Sequence, residues 1–416
     1  MRNKAVRPAA PREGLNVKDI VVYGLTAGAV LLGWQIAIQP LIQRAPVETA
    51  IRIAPASPLV LRRAAESELA AGRVENAASL SREALVRSPF DVRALRVLGL
   101  AEARAGREDE ADEILTLAGN WSLRDDPAHS WLVERRLRRG DYASSFAHAD
   151  TLVRRRQDIQ PQVFRLFTAA GTADPQRSLP VLAGLLAVRP PWRVAYLSTL
   201  ETPQELQLAA NLGLLLEAGR APLTNDELGQ IYRDLAARRQ FPILGALRER
   251  IGRPPPGKAV TNGGFAEATA PEPFKWRLYQ KAGIVGEIAV DDLNPSNSAI
   301  RIDYDGYATG TIAEQLTSMP AGSYQFAARF RTETGNQAAR LAWTVSCATD
   351  GGAISSFGAE ASRSSQGAWT TMSGRFDVPK ECSAQWLRLE TRAGDSRSPT
   401  VVWFDNITIS PIGRVN

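Results

Sequence analysis

Side chains that could bind a sugar alternate along segments of the C-terminal third of the chain. Apolar residues occupy every second position there, so the intervening aromatic and polar residues lie on the other face of a strand. Aromatic rings stack on apolar C–H surfaces, while guanidinium, amide and carboxylate groups bind hydroxyls. The predicted non-core residues are Gln325, Arg329, Arg331, Trp386, Arg388, Glu390 and Trp403. They form one ligand-binding surface if their strands share a sheet; alternatively, Trp386 and Trp403 pack under loops or against the helical solenoid that precedes this region.

Five carboxylates in the same region are the candidates for catalysis. Cleavage of a glycosidic bond needs two carboxyl groups facing across a cleft, about 5–9.5 Å apart. The candidates are Glu287, Asp291, Asp292, Asp303 and Asp305. They fall in turn-like segments without a recognisable catalytic motif, so the sequence favours a binding protein over an enzyme.

The chain has two histidines and two cysteines among 416 residues. They cannot build a repeated zinc module, and we expect no cofactor. His129 and His148 are predicted to be ordinary residues on helix surfaces. A net charge of +6 is too modest to indicate nucleic acid as a partner.

A proline-rich linker at 251–261 divides helical from β-forming sequence, because three consecutive prolines end the helical pattern. From 262 to 412 the apolar period becomes two, with Gly, Pro, Asn and Ser at the turns. Tyr324, Phe326 and Phe330, for example, share one strand face. This pattern predicts an antiparallel sandwich with Trp276 and Trp343 in its core.

Cys347 and Cys382 both lie at predicted strand ends of this domain. A location outside the cytoplasm would permit a disulfide between them, which we expect. The alternative is a pair of free buried thiols.

Several short segments resemble, in their order, the jelly-roll carbohydrate-binding modules of bacterial polysaccharide-acting proteins. The segments are 261–265, 274–276, 298–302, 320–324, Trp369 with 376–379, and 403–409. The resemblance implies a jelly-roll fold and contact with a polysaccharide. Related folds hold a structural calcium ion, but only Asp405 matches that pattern well, so no metal is assigned.

Glycines at 72, 106 and 140 recur every 34 residues, each followed by small residues such as Ala77 and Ala111. This period resembles the tetratricopeptide repeat, a helix–turn–helix unit, with a register of 58–91, 92–125 and 126–159. Residues 160–250 continue as degenerate helical repeats. The resemblance implies an all-α solenoid over 58–250 that binds a protein partner; the alternative is a chance periodicity in an Ala/Leu-rich bundle.

Arginines cluster in the third repeat. The set comprises Arg135, Arg136, Arg138, Arg139, Arg154, Arg155 and Arg156. Clustered guanidinium groups suit an anionic partner, such as a carboxylate-bearing peptide or an acidic polysaccharide. The alternative is a solvated face that Glu134 and Asp150 compensate.

The N-terminal residues predict a membrane anchor. Residues 1–19 form a basic tail. Residues 20–42 contain no acidic or basic residue, and this run is long enough for a transmembrane helix. The positive-inside rule places the tail in the cytoplasm and the rest in the periplasm, beyond a tether at 43–57. A buried soluble helix and a cleaved signal peptide are the alternatives.

Together these features predict a multidomain protein anchored in a bacterial inner membrane, with a helical solenoid and a C-terminal β sandwich in the periplasm. Its expected role is a scaffold: the solenoid binds a protein, and the β domain contacts exopolysaccharide or cell-envelope polysaccharide during assembly. The role in polysaccharide assembly is what the resemblance implies, and no single residue indicates it. A purely structural scaffold without sugar binding is the alternative, and a glycan-acting enzyme is less favoured.

Overall fold

The computed structural model describes residues 17–266, 270–334, 340–358, 367–392 and 397–413. The described residues contain 14 α-helices, all before residue 252, and 11 β-strands after residue 276. The chain divides into two compact units, Met1–Leu152 and Val153–Asn416. The second unit therefore contains both helices and the β domain.

The first unit consists of helices that pack mainly on their neighbours in sequence. They are α1 (Val17–Arg44), α2 (Val47–Ile53), α3 (Pro58–Ala70), α4 (Val74–Arg87), α5 (Val92–Arg104), α6 (Glu108–Trp121), α7 (Asp126–Arg138) and α8 (Tyr142–Val153). Helices α3, α5 and α7 begin at residues 58, 92 and 126, and each starts a helix hairpin. The repeat spacing seen in the sequence is therefore a structural period.

A glycine closes each of these hairpins in the left-handed backbone region. The φ angles of Gly72, Gly106 and Gly140 are 78°, 81° and 69°. A side chain at these angles would meet the backbone, so glycine is the favoured residue. Ala77 and Ala111 are fully buried where the two helices of a hairpin approach each other.

Among the described residues, the structure contains no helix that is both long and apolar enough to cross a membrane. The transmembrane span predicted at 20–42 is therefore not supported. Most of the basic tail predicted at 1–19 lies outside the described residues.

Further helices begin the second unit. They are α9 (Gln160–Ala173), α10 (Pro175–Ala187), α11 (Arg193–Leu197), α12 (Pro203–Glu217), α13 (Asn225–Ala237) and α14 (Phe241–Ile251). Phe164, Phe167, Trp192 and Tyr196 form a buried aromatic cluster between α9 and α11. Helix α13 starts with a capping box, in which the Thr224 hydroxyl accepts the Glu227 N–H and the Glu227 carboxylate accepts the Thr224 N–H.

The β domain is a sandwich of two antiparallel sheets. Its strands are β1 (Arg277–Leu278), β2 (Gln280–Lys281), β3 (Ile284–Asp291), β4 (Asn294–Tyr304), β5 (Gly310–Thr317), β6 (Gly322–Thr334), β7 (Leu341–Cys347), β8 (Ala353–Gly358), β9 (Thr370–Val378), β10 (Gln385–Thr391) and β11 (Thr400–Pro411). One sheet has the order β1-β5-β10-β7-β8, and the other has the order β2-β3-β4-β11-β6-β9. Trp276 and Trp343 lie in the core between them, as predicted.

The predicted disulfide joins Cys347, at the end of β7, to Cys382 before β10. Their Cα atoms lie 5.6 Å apart, and the bond links positions 35 residues apart in the chain. In the chain-entropy model, such a closed loop stabilises the folded state by restricting the unfolded chain.

Reduction of the disulfide is expected to lower the free energy of unfolding of the β domain by about 3–4 kcal/mol. Calorimetry of the full chain with and without reductant measures this change. The double variant Cys347→Ser/Cys382→Ser is the control, since its unfolding should not respond to reductant. Complete alkylation of both thiols without reductant would contradict the disulfide.

The two histidines of the chain contact each other within the first unit. His129 is buried on α7, and its Nδ1 lies 2.9 Å from Nδ1 of His148 on α8. The Nε2 atom of His129 lies 3.2 Å from the carbonyl oxygen of Ser122. The prediction that both are ordinary surface residues is wrong for His129, which is buried, whereas His148 is half-buried beside it.

This contact predicts acid sensitivity of the helical hairpins. Burial, then the charge of His129 and that of Arg136, lower the pKa of His148 to about 4, against opposing effects of Asp141 and Asp112. The unfolded chain keeps a pKa near 6.5, so it binds protons first and stability falls between about pH 6.5 and 4. The melting temperature of His148→Gln, followed by circular dichroism, should therefore fall less than that of the wild type over this interval. Parallel curves for the two proteins would refute the prediction.

Candidate functional site

The seven predicted ligand-binding residues lie on the outer faces of two different sheets. Trp386, Arg388 and Glu390 are on β10, in the five-stranded sheet, whereas the others are on β6 and β11, in the six-stranded sheet. The expectation of one surface depended on a shared sheet and is not met. Alternation along a strand defines the face of each residue, but not the sheet that the strand joins.

On the six-stranded sheet, Arg331 is enclosed between two indole rings. Its guanidinium carbon lies 5.0 Å from the ring centroid of Trp403 and 5.6 Å from that of Trp369. Arg331 is 2% exposed and Trp403 is 3% exposed. Arg331 also forms an ion pair with Asp291 at 3.3 Å, and the Trp369 indole N–H donates to Asp291 at 3.2 Å. The Trp403 ring is thus covered by protein and offers little surface for a sugar.

The remaining predicted residues of this sheet border the same cluster. The Arg329 guanidinium lies 5.1 Å from the Trp369 ring centroid, and Gln325 stands opposite Arg375 in the strand register. Asp405, the weak calcium candidate, is buried and accepts a hydrogen bond from the Asn297 side chain at 3.1 Å. No group of three potential metal ligands occurs among the described residues.

On the five-stranded sheet, a half-buried Trp386 begins a row of polar residues along β10. Arg388 donates to the Glu314 carboxylate at 3.0 Å, and its guanidinium carbon lies 5.2 Å from the Trp386 ring centroid. Glu390 accepts hydrogen bonds from Thr311 at 3.3 Å and Thr344 at 2.9 Å. This face combines an aromatic ring with carboxylate and guanidinium groups held in place by neighbouring strands.

Trp386 lines a pocket of about 290 Å³ that α13 and the chain before β1 complete. The lining residues are Arg233, Ala236, Ala237, Glu272, Pro273, Lys275, Arg277, Glu314 and Trp386. Sequence analysis missed all of these except Trp386, because no local pattern shows that a helix lies against this sheet. Glu314 and Arg388 have opposite charges and stand opposite each other on β5 and β10. They are the one signal of this site in the sequence, and it can be recognised only once the pairing of these two strands is known.

The charges of the pocket are organised by hydrogen bonds. Burial alone would raise the pKa of Glu272, but hydrogen bonds from Lys275 and Arg233 outweigh it and hold that pKa below its usual value. Burial, and then a hydrogen bond to Glu314, raises the pKa of Tyr279 to about 12. The Tyr279 phenol therefore stays protonated and donates to Glu314.

The segment before β1 is positioned by Phe274, which is 1% exposed. The Tyr232 ring meets it edge-on at 5.4 Å, and the Arg248 guanidinium carbon lies 4.7 Å from its centroid. The backbone of Glu272 passes so close to Gly229 on α13 that a Cβ atom there would lie 3.0 Å from the Glu272 nitrogen. A residue with a side chain at 229 would push this segment away from the helix.

A larger cleft, of about 690 Å³, lies between α14, the linker and the turns at 318–321 and 380–383. Tyr324 is the aromatic residue in its lining, and its ring is buried by stacking on Phe376. The cleft therefore lacks an exposed ring for a sugar to stack on.

The five candidate catalytic carboxylates each contact a donor group of the β domain. Asp291 and Asp292 accept hydrogen bonds from Arg331. Glu287 and Asp303 each lie 3.5 Å from Arg301.

Asp305 accepts backbone N–H groups from Ala308 at 2.8 Å and Tyr307 at 2.9 Å, and these bonds lower its pKa. Each of the five carboxylates thus has a basic side chain or a backbone N–H group as a partner within the β domain.

The arginine cluster of α7 is neutralised by acidic residues of α6. Arg136 and Arg139 lie 2.8 and 2.7 Å from the Asp112 carboxylate, and Arg135 lies 3.0 Å from Asp109. Arg138 pairs with Glu108 at 3.4 Å. These ion pairs join adjacent hairpins and leave no strong positive patch on α7.

No family model and no curated protein match the chain. The resemblance of the hairpins to tetratricopeptide repeats is therefore not supported.

Solved structures of carbohydrate-binding modules are similar to the β domain. A CBM4 structure shares 17% identity, with a TM-score of 0.29 over 37% of this chain and 99% of its own. A CBM61 module in complex with β-1,4-galactotriose has 17% identity, a TM-score of 0.27 and coverage of 37% and 99%. The xylan-binding CBM22-1 domain from Paenibacillus barcinonensis has 14% identity, a TM-score of 0.27 and coverage of 37% and 94%. TM-scores this low carry no functional argument, so function must be inferred from the residues of this chain.

The enclosed Arg331 gives a prediction about stability. Arg331→Leu should lower the free energy of unfolding by about 3–5 kcal/mol, because it leaves the buried Asp291 carboxylate without its ion-pair partner. Urea unfolding of the full chain measures the change. Arg329→Leu is the matched control on the same strand and should have a much smaller effect. Equal effects of the two substitutions would show that the Asp291 ion pair is not essential.

Proposed function

We propose that this protein is a binding scaffold whose β domain contacts a polysaccharide through the outer face of the five-stranded sheet. The observation that carries the proposal is the half-exposed Trp386 ring beside Arg388, Glu314 and Glu390. The ring can stack on the apolar face of a pyranose, and the charged groups can bind its hydroxyls. The role requires no catalytic step.

Binding by this face is expected to be weak for each sugar. A shallow sheet face buries little of its ligand, and one stacked ring contributes about 1–2 kcal/mol. A polysaccharide compensates for weak contacts because many identical residues are available to the same site. A polymer is therefore a better ligand for this face than a single sugar.

The helical hairpins are proposed to bind a protein. Phe90 and Trp121 are exposed at the hairpin ends, 79% and 43% respectively, and their ring centroids lie 5.4 Å apart. Exposed arginines at 87, 93 and 124 each lie three residues along the chain from one of these two rings. The chemistry suits a partner segment that combines apolar and acidic side chains.

The disulfide supports a location outside the cytoplasm, where such bonds persist. We place the scaffold on the periplasmic side of a bacterial cell, where exported or cell-envelope polysaccharide would be its ligand during assembly.

A purely structural scaffold is the second candidate. The enclosed Arg331 between Trp369 and Trp403 favours it, since this cluster stabilises the domain without offering a ligand site. The buried Leu316 on the outer face of β5 favours it as well, since protein already covers that part of the sheet.

Trp386→Ala in the full chain should abolish retention by immobilised or gel-embedded bacterial polysaccharide while the protein stays folded, because the Trp386 ring is partly exposed and lies outside the core. Affinity electrophoresis against a panel of polysaccharides provides the measurement. Trp121→Ala removes an exposed indole from a helical hairpin and should leave retention intact. If Trp386→Ala unfolds the protein, or if the wild type binds none of the polysaccharides in the panel, the purely structural scaffold is the favoured function.

A further inference from the structure

We propose that the pocket beside Trp386 binds a uronic acid residue, so that the ligand is an acidic polysaccharide; this inference rests on the proposed function. The pocket joins an aromatic ring to an excess of positive charge. Its lining includes three cationic side chains, Arg233, Lys275 and Arg277, against two carboxylates, Glu272 and Glu314. Arg388 adds a fourth cation at the edge of the pocket through its bond to Glu314.

The two carboxylates of the pocket are already engaged by protein groups. Glu272 forms ion pairs with Arg233 and Lys275. Glu314 accepts hydrogen bonds from Arg388 and from the Tyr279 hydroxyl. They hold the walls of the pocket in place and neutralise the cations that they contact.

Arg277 is the pocket cation that remains for a ligand. Its backbone stands opposite Glu314 in the strand register, yet no ion pair joins them, and among the described residues Arg277 has no acidic partner. The guanidinium instead stacks on Tyr279, with its carbon 5.0 Å from the ring centroid. Stacking leaves the N–H groups at the guanidinium edge free, and that edge matches a carboxylate in a bidentate geometry.

The remaining lining suits a sugar ring. Trp386 provides a surface for stacking, and Ala236, Ala237 and Pro273 provide small apolar contacts. A volume of about 290 Å³ lies just below the usual range for ligand pockets, about 300–1,000 Å³, and suits one monosaccharide unit. The rest of a chain can continue over Arg388 and Glu390 along β10.

The test compares acidic oligosaccharides with neutral ones of the same backbone. Isothermal titration of the full chain uses trimers of galacturonate, glucuronate and mannuronate, each beside its carboxyl-reduced counterpart. At least one acidic trimer should bind about tenfold more tightly than its neutral counterpart, since hydrogen bonds between a guanidinium and a carboxylate are charge-assisted. This preference should shrink as salt is added.

Two variants on different elements locate the preference. Arg277→Gln should remove it by lowering the affinity for the acidic trimers to that for the neutral ones. Ala237→Glu, on the exposed end of α13, should weaken acidic binding more than neutral binding through charge repulsion. Arg375→Gln, an exposed arginine on the six-stranded sheet, is the matched control and should keep the preference.

The outcomes separate this inference from the function on which it rests. Equal affinity for acidic and neutral trimers, or a preference that persists in Arg277→Gln, overturns the uronic acid site while leaving saccharide binding in place. If neither the trimers nor the polysaccharide panel bind to the wild type, the proposed function fails as well.

Discussion

The candidate site depends on the burial of one aromatic side chain, Phe274. Its ring is fixed by Tyr232 and Arg248, which belong to α13 and α14. The preceding residue, Pro273, accepts the backbone N–H of Leu316 at 2.9 Å, so the same segment is also joined to β5. Because one short segment is held by helices on one side and a sheet on the other, α13 becomes a wall of the pocket. Without this contact, Trp386 would lie on an open sheet face.

The position of α13 is in turn set by a buried ion pair at its first turn. Arg193 on α11 binds Glu227 through two hydrogen bonds, at 2.7 and 2.9 Å, and both side chains are almost fully buried. Glu227 also accepts the backbone N–H of Thr224 in the capping box. A buried ion pair adds little net stability, but its loss leaves an uncompensated charge, so it restricts the helix to one position. The geometry of the pocket therefore depends also on a contact between helices, outside the residues that line it.

The sequence predicted what depends on local patterns, and missed what depends on distant pairing. The hairpin glycines, the alternation in β6 and β10, and the pairing of Cys347 with Cys382 follow from period and residue type. The sheet to which β10 belongs cannot be predicted in this way, because the alternation of side chains is the same in either sheet. The contact of α13 with this sheet and the pairing of the α7 arginines with α6 acids also require the tertiary fold. All seven predicted binding residues therefore lie on the outer faces that alternation predicts, but in two sheets instead of one.

Trp386 and Trp403 show why residue type alone does not define a binding site. Both indoles stand on outer sheet faces beside an arginine of the same domain. At Trp403, Arg331 covers the ring and forms an ion pair with Asp291, a buried carboxylate at the β3–β4 turn. The ring, the guanidinium and the carboxylate therefore all have partners within the domain. At Trp386 the nearby Arg388 engages Glu314, while Arg277 keeps its charge without an acidic partner among the described residues. A site whose charges are all paired within the protein stabilises the fold, whereas the surplus cation and partly exposed ring at Trp386 are the features on which the proposal of an acidic ligand rests.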